Sequence, residues 1–493
     1  MSLDFEVIIV GSGFSGLCMA IRLKRAGQQS FVLLEKADSI GGTWRDNQYP
    51  ACACDVPAHL YSFSFEPNPR WTRSFARQPE IRAYLEHCAD KYGLRPHLRL
   101  GTEVTRAEYA EAGAFWRVQA ADGKTFTARH LVLGVGALHR PQYPTIQGIE
   151  RFRGKTFHTA RWDHSLALDG QRVAVIGTGA SAIQIVPELA SSVGRLLLFQ
   201  RTPPWVLPKP DRAIGPFVQS SFAAVPLLQR LYRWYLYWLL ELSCFAFTKQ
   251  PQLMRLLARW SRRHLRRQIA NPELRRTVTP DYLPGCKRIL MADNYYPALA
   301  RPNVAVVTSA IAHANERGLV TNDGKEHELD TIIYGTGFHV ADFLTPLQVT
   351  GRGGLDLNAL WKHGMEAYLG SLVHGFPNLF LLLGPNTGLG HNSMVFMIES
   401  QVELVLRCLR AVRQRGASSA QVRADTQRDF NRELQPRLRR AVWASGCKSW
   451  YLNPEGKNVA LWPGFTFEFW LRARLSHRGR LEFDPQPGLG APR

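Results

Sequence analysis

Two glycine-rich turns, each set between a short apolar run and a helical stretch, limit what this chain can fold into more than anything else in it. The first turn reads Gly11-Ser12-Gly13-Phe14-Ser15-Gly16. It follows the β-branched run Val7–Val10 and leads into a stretch from Leu17 to Arg25 with helical spacing, which is the pattern of strand, tight turn and helix. The next apolar strand, Phe31 to Leu34, ends at Glu35, 19 residues after Gly16. Glycines so placed let a backbone approach a pyrophosphate at a helix N-terminus, and a carboxylate at the end of the second strand bonds ribose hydroxyls.

The second turn reads Gly177-Thr178-Gly179-Ala180-Ser181-Ala182, after the strand Arg172–Ile176 and before a helix from Ile183 to Ala190. Its second strand, Leu196 to Phe199, runs into Gln200-Arg201-Thr202, 24 residues after Gly177. An acid there repels a 2′-phosphate, whereas an arginine and a hydroxyl pair with it, so this unit is expected to prefer NADP to NAD. Two dinucleotide sites in one chain imply hydride flow from a nicotinamide to a flavin, which assigns FAD to the first unit. The expected fold is α/β, with two Rossmann-type dinucleotide-binding domains and a helical insertion.

With 493 residues, the chain has length for two or three packed units. Residues 1–145 read as the first part of the FAD domain and 146–207 as the first part of the NADP domain. Residues 208–284 read as the insertion, 285–334 as the rest of the NADP domain and 335–493 as the rest of the FAD domain. Leu131–Gly136 marks the outgoing crossover, and Thr331–Gly337 the strand and glycine turn of the return. The insertion is aromatic and basic: Leu231 to Phe247 carries Tyr232, Trp234, Tyr235, Tyr237, Trp238, Phe245 and Phe247, and Arg255, Arg259, Arg262, Arg263, Arg266 and Arg267 follow at helical spacings. It reads as a helical cover over the active site, in preference to a helix resting on an anionic membrane or to a nucleic-acid surface. The tail after Arg480, with its Pro and Gly, reads as frayed.

Composition adds exclusions. Hydrophobic residues at 45% and charged residues at 20% exclude wholesale disorder and a multi-span membrane protein. The net charge of +21 is carried by 49 Arg against 12 Lys and is read as coding bias rather than as a partner signal. The eight cysteines form no CxxC or CxxxxC pair, so no disulfide framework, zinc site or dithiol redox role is expected, and no metal. The N-terminal residues run straight into the first strand without a basic, apolar leader, which points to a cytoplasmic protein.

Three further strings carry chemistry. Phe152-Arg-Gly154-Lys-Thr-Phe-His158-Thr-Ala-Arg-Trp162-Asp163 fits FxGxxxHxxxW followed by Asp, in the linker between the two units. Gly41-Gly42-Thr43-Trp44, Tyr49-Pro50 and Asp55 fit a second spaced pattern, and Pro284-Gly285-Cys286-Lys287-Arg288 is a short basic loop. Together these resemble the type I Baeyer–Villiger monooxygenases of the flavin-containing monooxygenase superfamily, over a span from Val7 to Arg474. Ala51 departs from the second pattern, where Gly or Met is usual.

The resemblance implies an FAD- and NADPH-dependent enzyme that takes O2 and a small ketone and inserts one oxygen atom to give an ester or lactone through a flavin peroxide. It implies that Arg288 is the catalytic arginine, oriented by Asp55 beside the flavin. Thr43, Trp44, Tyr61, Val104 and Met394 align with FAD-contacting positions, Lys287 joins Arg201 and Thr202 on the NADP 2′-phosphate, and Trp450 contacts NADP. His158 is expected to couple domain movement to catalysis. Phe63, Phe65 and Trp71 hint at a roomy apolar pocket. The alternatives are an N- or S-oxygenating flavin monooxygenase and an uncoupled NADPH oxidase; Asp55, Arg288 and Trp162-Asp163 argue against the first. The sequence leaves the ketone and the oligomeric state open.

Overall fold

A computed structural model describes residues 2–447, 449–476 and 479–485. The chain opens with β1 (Phe5–Val10), α1 (Phe14–Arg25) and β2 (Phe31–Leu34). The four residues Val7–Val10 are buried, as are all four of β2, as a parallel strand covered on both faces requires. Then come α2 (Thr43–Asp46), α3 (Gln78–Lys91), β3 (Leu98–Arg99), β4 (Val104–Ala110), β5 (Phe115–Ala120) and β6 (Thr125–Leu133). β1 lies between β2 and β6, parallel to both.

A second sheet begins with β7 (Lys155–His158), β8 (Arg172–Ile176), α4 (Ala180–Leu189) and β9 (Arg195–Phe199). β7 is a difference from the sequence reading, which has a linker here; Lys-Thr-Phe-His lacks both alternation and an apolar run, and only pairing with a later strand makes it β. Next come β10 (Val206–Leu207), α5 (Pro216–Ala224), α6 (Pro226–Thr248), α7 (Met254–Gln268), α8 (Pro272–Thr277), β11 (Leu290–Met291) and α9 (Tyr295–Leu299). The expected helical character of the insertion therefore holds. β12 (Val304–Val307) rejoins the second sheet, a small meander of β13 (Ile311–Ala314), β14 (Gly318–Thr321) and β15 (Glu326–Glu328) follows, and β16 (Thr331–Tyr334) completes the order β12-β9-β8-β16-β7.

After Tyr334 the chain returns to the first sheet. β17 (Gln348–Thr350) adds to β4 and β18 (Leu379–Leu381) pairs with β6, on either side of α10 (Leu357–Leu360). Both sheets are thus completed by later chain. The last elements are α11 (Met394–Gln414), β19 (Ala417–Val422), α12 (Ala424–Arg440), α13 (Thr466–Leu475) and β20 (Leu481–Pro485). β20 corrects the reading of the tail as frayed from Arg480: it pairs antiparallel with the fully buried β19. Residues 486–493 lie outside the described residues.

The cysteine reading also needs correction, because Cys286 and Cys447 form a disulfide across a separation of 161 residues. Sequence spacing cannot reveal such a pair; the fold brings the two Cα atoms to 6.1 Å, within bonding reach. The six other cysteines are free and buried. Phe63 and Trp71, read as hints of a pocket, are fully buried core residues, with Phe63 stacked on Phe65 and Trp71 against Tyr84. Among the described residues no helix is long and apolar enough to cross a membrane.

Candidate active site

The two glycine turns are built alike. Gly11 and Gly177 have φ values of +97° and +114°, in the region that side chains disfavour. A Cβ on Gly11 would lie 2.6 Å from the carbonyl oxygen of Gly134, and one on Gly177 would lie 2.4 Å from that of Gly335. The two crossover strings singled out in the sequence therefore back the two turns. The middle glycines are open: a Cβ on Gly13 would meet nothing nearer than 3.7 Å, and one on Gly179 nothing within 4 Å. That space over a helix N-terminus is a cradle for phosphate oxygens. Gly16 closes α1 onto the turn, since a Cβ there would come within 1.8 Å of the Gly11 carbonyl oxygen. In the second unit Ala182 fills the same place and is fully buried, while Thr178, Ala180 and Ser181 complete the turn and the start of α4.

Beyond the turns the units part. Glu35 is buried, and its Oε2 accepts from the Ser12 amide (3.0 Å) and the Ser12 hydroxyl (2.7 Å), while Oε1 accepts from the Ala37 amide (3.0 Å) and pairs with Arg45 at 2.9 Å. Burial by itself raises its pKa, but Arg45 and these hydrogen bonds outweigh it and hold the carboxylate below its ordinary range. In the second unit Arg201 is exposed and Thr202 half-buried. The Thr178 hydroxyl donates to the Thr202 carbonyl at 2.9 Å, tying the glycine turn to the strand end. Lys287 lies near Arg201, and burial and then Arg201 lower its pKa. Two cations held against each other fit an anion between them. The donor sets thus suit a ribose in the first unit and a 2′-phosphate in the second, so both cradles fit the dinucleotides the sequence implies.

Between the units lies the pair expected to do chemistry. Asp55 follows the loop from Thr43 and Trp44, and Arg288 sits just before β11, yet Arg288 donates from Nε (2.9 Å) and Nη2 (2.5 Å) to Asp55 Oδ2. The side chains keep 30% and 37% exposure, so the pair can be reached. Burial raises the Asp55 pKa, but Arg288, and behind it Lys209, outweigh this and lower it; the Arg288 guanidinium is held charged by Asp55. Trp44 is buried and its indole donates to the Tyr61 hydroxyl at 3.2 Å.

The remaining expected residues divide. Met394 starts α11, half-buried against the main core, and Val104 is buried in a second core that also holds Ile8 and Leu34. Trp450 is 45% exposed, its ring centroid 4.3 Å from that of Tyr451. His158 is fully buried at the end of β7, between Tyr143 and Phe338, where burial lowers its pKa to about 4. Nothing brings it to Arg288, and its place beside the return from β16 suits a structural role.

Sequence reasoning missed three residues near the pair. Tyr451 is affected by both charges, with burial raising its pKa to about 12. Lys209 had no signal beyond two flanking prolines. Gln184 on α4 accepts from the Tyr49 hydroxyl (3.1 Å) and donates to the Ala53 carbonyl (3.0 Å), so the NADP-unit helix holds the loop that carries Asp55.

Known proteins are similar to this chain in sequence and in fold. A family model for pyridine nucleotide-disulphide oxidoreductases matches residues 8–229. A Baeyer–Villiger monooxygenase from Pseudomonas aeruginosa is 54% identical, with 94% of this chain and 88% of that protein covered, and one from Streptomyces coelicolor is 50% identical over 94% and 90%. The chain belongs to the Baeyer–Villiger monooxygenase family. Solved structures agree in shape: a steroid monooxygenase bound to NADP (TM-score 0.88, 28% identity) and a cyclohexanone monooxygenase in a closed form (TM-score 0.89, 27% identity) each cover 98% of this chain and are themselves fully covered. As a Baeyer–Villiger monooxygenase it is a flavoprotein that uses NADPH.

Proposed function

We propose that this Baeyer–Villiger monooxygenase converts a small ketone and O2 into an ester or lactone, with Arg288 and Asp55 as its catalytic residues. The observation that carries this is the reachable Arg288–Asp55 pair between the two dinucleotide cradles. FAD bound in the first cradle, reduced by NADPH, supplies activation of dioxygen. Gly11, Gly13, Gly16 and Glu35 would hold its pyrophosphate and ribose, with Thr43, Trp44, Tyr61, Val104 and Met394 lining it. Gly177, Thr178, Gly179, Ala180, Ser181 and Ala182 would cradle the pyrophosphate of NADPH, Arg201, Thr202 and Lys287 its 2′-phosphate, and Trp450 its outer face. On this reading residues 1–145 and 335–493 serve FAD, 146–207 and 285–334 serve NADPH, and 208–284 is inserted in the latter. Completion of the first sheet by β17 and β18, and of the second by β12 and β16, supports that division.

The chain's own part is electrostatic. Both Arg288 bonds run to one oxygen of Asp55, through Nε and Nη2, and Nη1 makes no hydrogen bond to a described residue. Asp55 thereby fixes the plane of the guanidinium and leaves one edge to face the negative oxygen that develops at the ketone carbonyl. Arg288 gives up no proton in this role; it remains a cation throughout. Replacing it tests the reading. Arg288→Ala should keep FAD and its reduction by NADPH while ester formation falls by about 10²- to 10³-fold, the usual loss for one such donor. Unchanged ester yield would refute the assignment.

A further inference from the structure

The inserted helix α6 buries polar groups and leaves a wide apolar face exposed. An ordinary surface helix turns its apolar stripe to the core and its charges to water. Here three polar groups turn inward beside Leu236, Cys244 and Phe247: Arg233 donates to the His59 carbonyl (2.6 Å) and the Ser62 carbonyl (3.0 Å), Gln229 donates to the Asn68 carbonyl (2.7 Å), and fully buried Glu241 accepts from Asn392 (2.6 Å) and Thr466 (2.8 Å). The outward face carries Leu231, Trp234, Tyr235, Trp238 and Leu242, of which Trp234, Tyr235 and Leu242 are 64%, 60% and 67% exposed, and α5, which packs on α6, leaves Phe217 exposed. The patch continues onto α13, where Phe467 lies 6.1 Å from Trp238 and Trp470 is exposed. Single exposed hydrophobics are ordinary, but a contiguous face of this kind marks an interaction surface.

Charge identifies the occupant. Residues 216–270 contain nine Lys or Arg and one acid, the buried Glu241. On α7 the six arginines Arg255, Arg259, Arg262, Arg263, Arg266 and Arg267 are all exposed, next in sequence to the aromatic helix. A second copy of the chain laid on this face would find cations and no exposed acid in the segment to pair with them. A lipid headgroup layer supplies the anions, and Trp and Tyr beside Arg is the composition that settles at a bilayer interface. We propose that the outer face of α5, α6 and α13, with the arginines of α7, docks this enzyme on an anionic phospholipid surface without crossing it. That revises the preference for a simple cover over the active site: the inner face does pack on the loop after Asp55, and the outer face remains to be covered.

The test uses the full-length, FAD-loaded enzyme and cosedimentation with vesicles of phosphatidylcholine, with and without phosphatidylglycerol. Binding should be about tenfold stronger on the anionic vesicles and should weaken when salt is raised from physiological to molar strength. Trp234→Ala with Trp238→Ala should lower binding about tenfold, and Arg255→Glu with Arg259→Glu and Arg263→Glu should erase the preference for phosphatidylglycerol, both with bound flavin unchanged. Light scattering follows oligomeric state in parallel. Failure to bind either vesicle, or binding that neither set of variants alters, overturns the proposal. So does a dimer that the tryptophan variant dissociates without any vesicle binding, which would make a second copy the occupant.

Discussion

The two dinucleotide units share a turn and differ in what stands around it. In the first, the strand end is a buried carboxylate held by Ser12, Ala37 and Arg45; in the second, it is an exposed arginine near a second cation, Lys287. The third turn position differs as well, since Gly16 admits no side chain while Ala182 is accommodated. One backbone device therefore recurs with opposite charge at the end of the second strand, which is the difference expected between a ribose site and a 2′-phosphate site.

The largest expected effect attacks the tight turn. Gly16→Ala places a methyl 1.8 Å from the Gly11 carbonyl oxygen and should yield protein without FAD, read from the flavin absorbance of the purified enzyme. The mirror change Ala182→Gly should keep flavin and cost at most about 1 kcal/mol of stability; equal flavin content in both variants would erase the distinction between the turns. Next, Arg201→Glu combined with Lys287→Glu should raise KM for NADPH about 10- to 100-fold and leave that for NADH nearly unchanged. An equal rise for both cofactors would mean that these cations do not read the 2′-phosphate.

A smaller effect concerns Glu35. Its pKa is lower folded than unfolded, so the stability it contributes is full above the ordinary glutamate value of about 4.3 and is lost as pH falls through the folded value. Glu35→Gln should cost about 1–2 kcal/mol at neutral pH and flatten the acid limb of a thermal-melt series. A limb of unchanged slope would assign it to other groups. The smallest change is Thr178→Val, which removes the 2.9 Å bond to the Thr202 carbonyl; a rise of a few-fold in KM for NADPH is expected, from about 1 kcal/mol, with FAD content unmoved.

Much of the site was legible because its signals are local. Strand, glycine turn, helix and strand-end charge fall within 30 residues of one another, and the chemistry of close backbone approach restricts them to few residue types. Asp55 and Arg288 were reached by pattern, and their contact, 233 residues apart in sequence, came from the fold. Lys209, Gln184 and Tyr451 left little trace, because each acts through neighbours that tertiary packing supplies. The same holds for the Cys286–Cys447 disulfide.

The sequence by itself determined that there are two glycine-turn units and the family to which the chain belongs, because short-range steric and charge requirements are written in consecutive residues. Tertiary structure decided what those residues face. It buried Phe63 and Trp71 that could have lined a pocket, made a strand of Lys155–His158 by pairing it with β16, and turned Gln229, Arg233 and Glu241 of α6 inward. Periodicity gives a helix two faces; only packing against the rest of the chain decides which of them meets water.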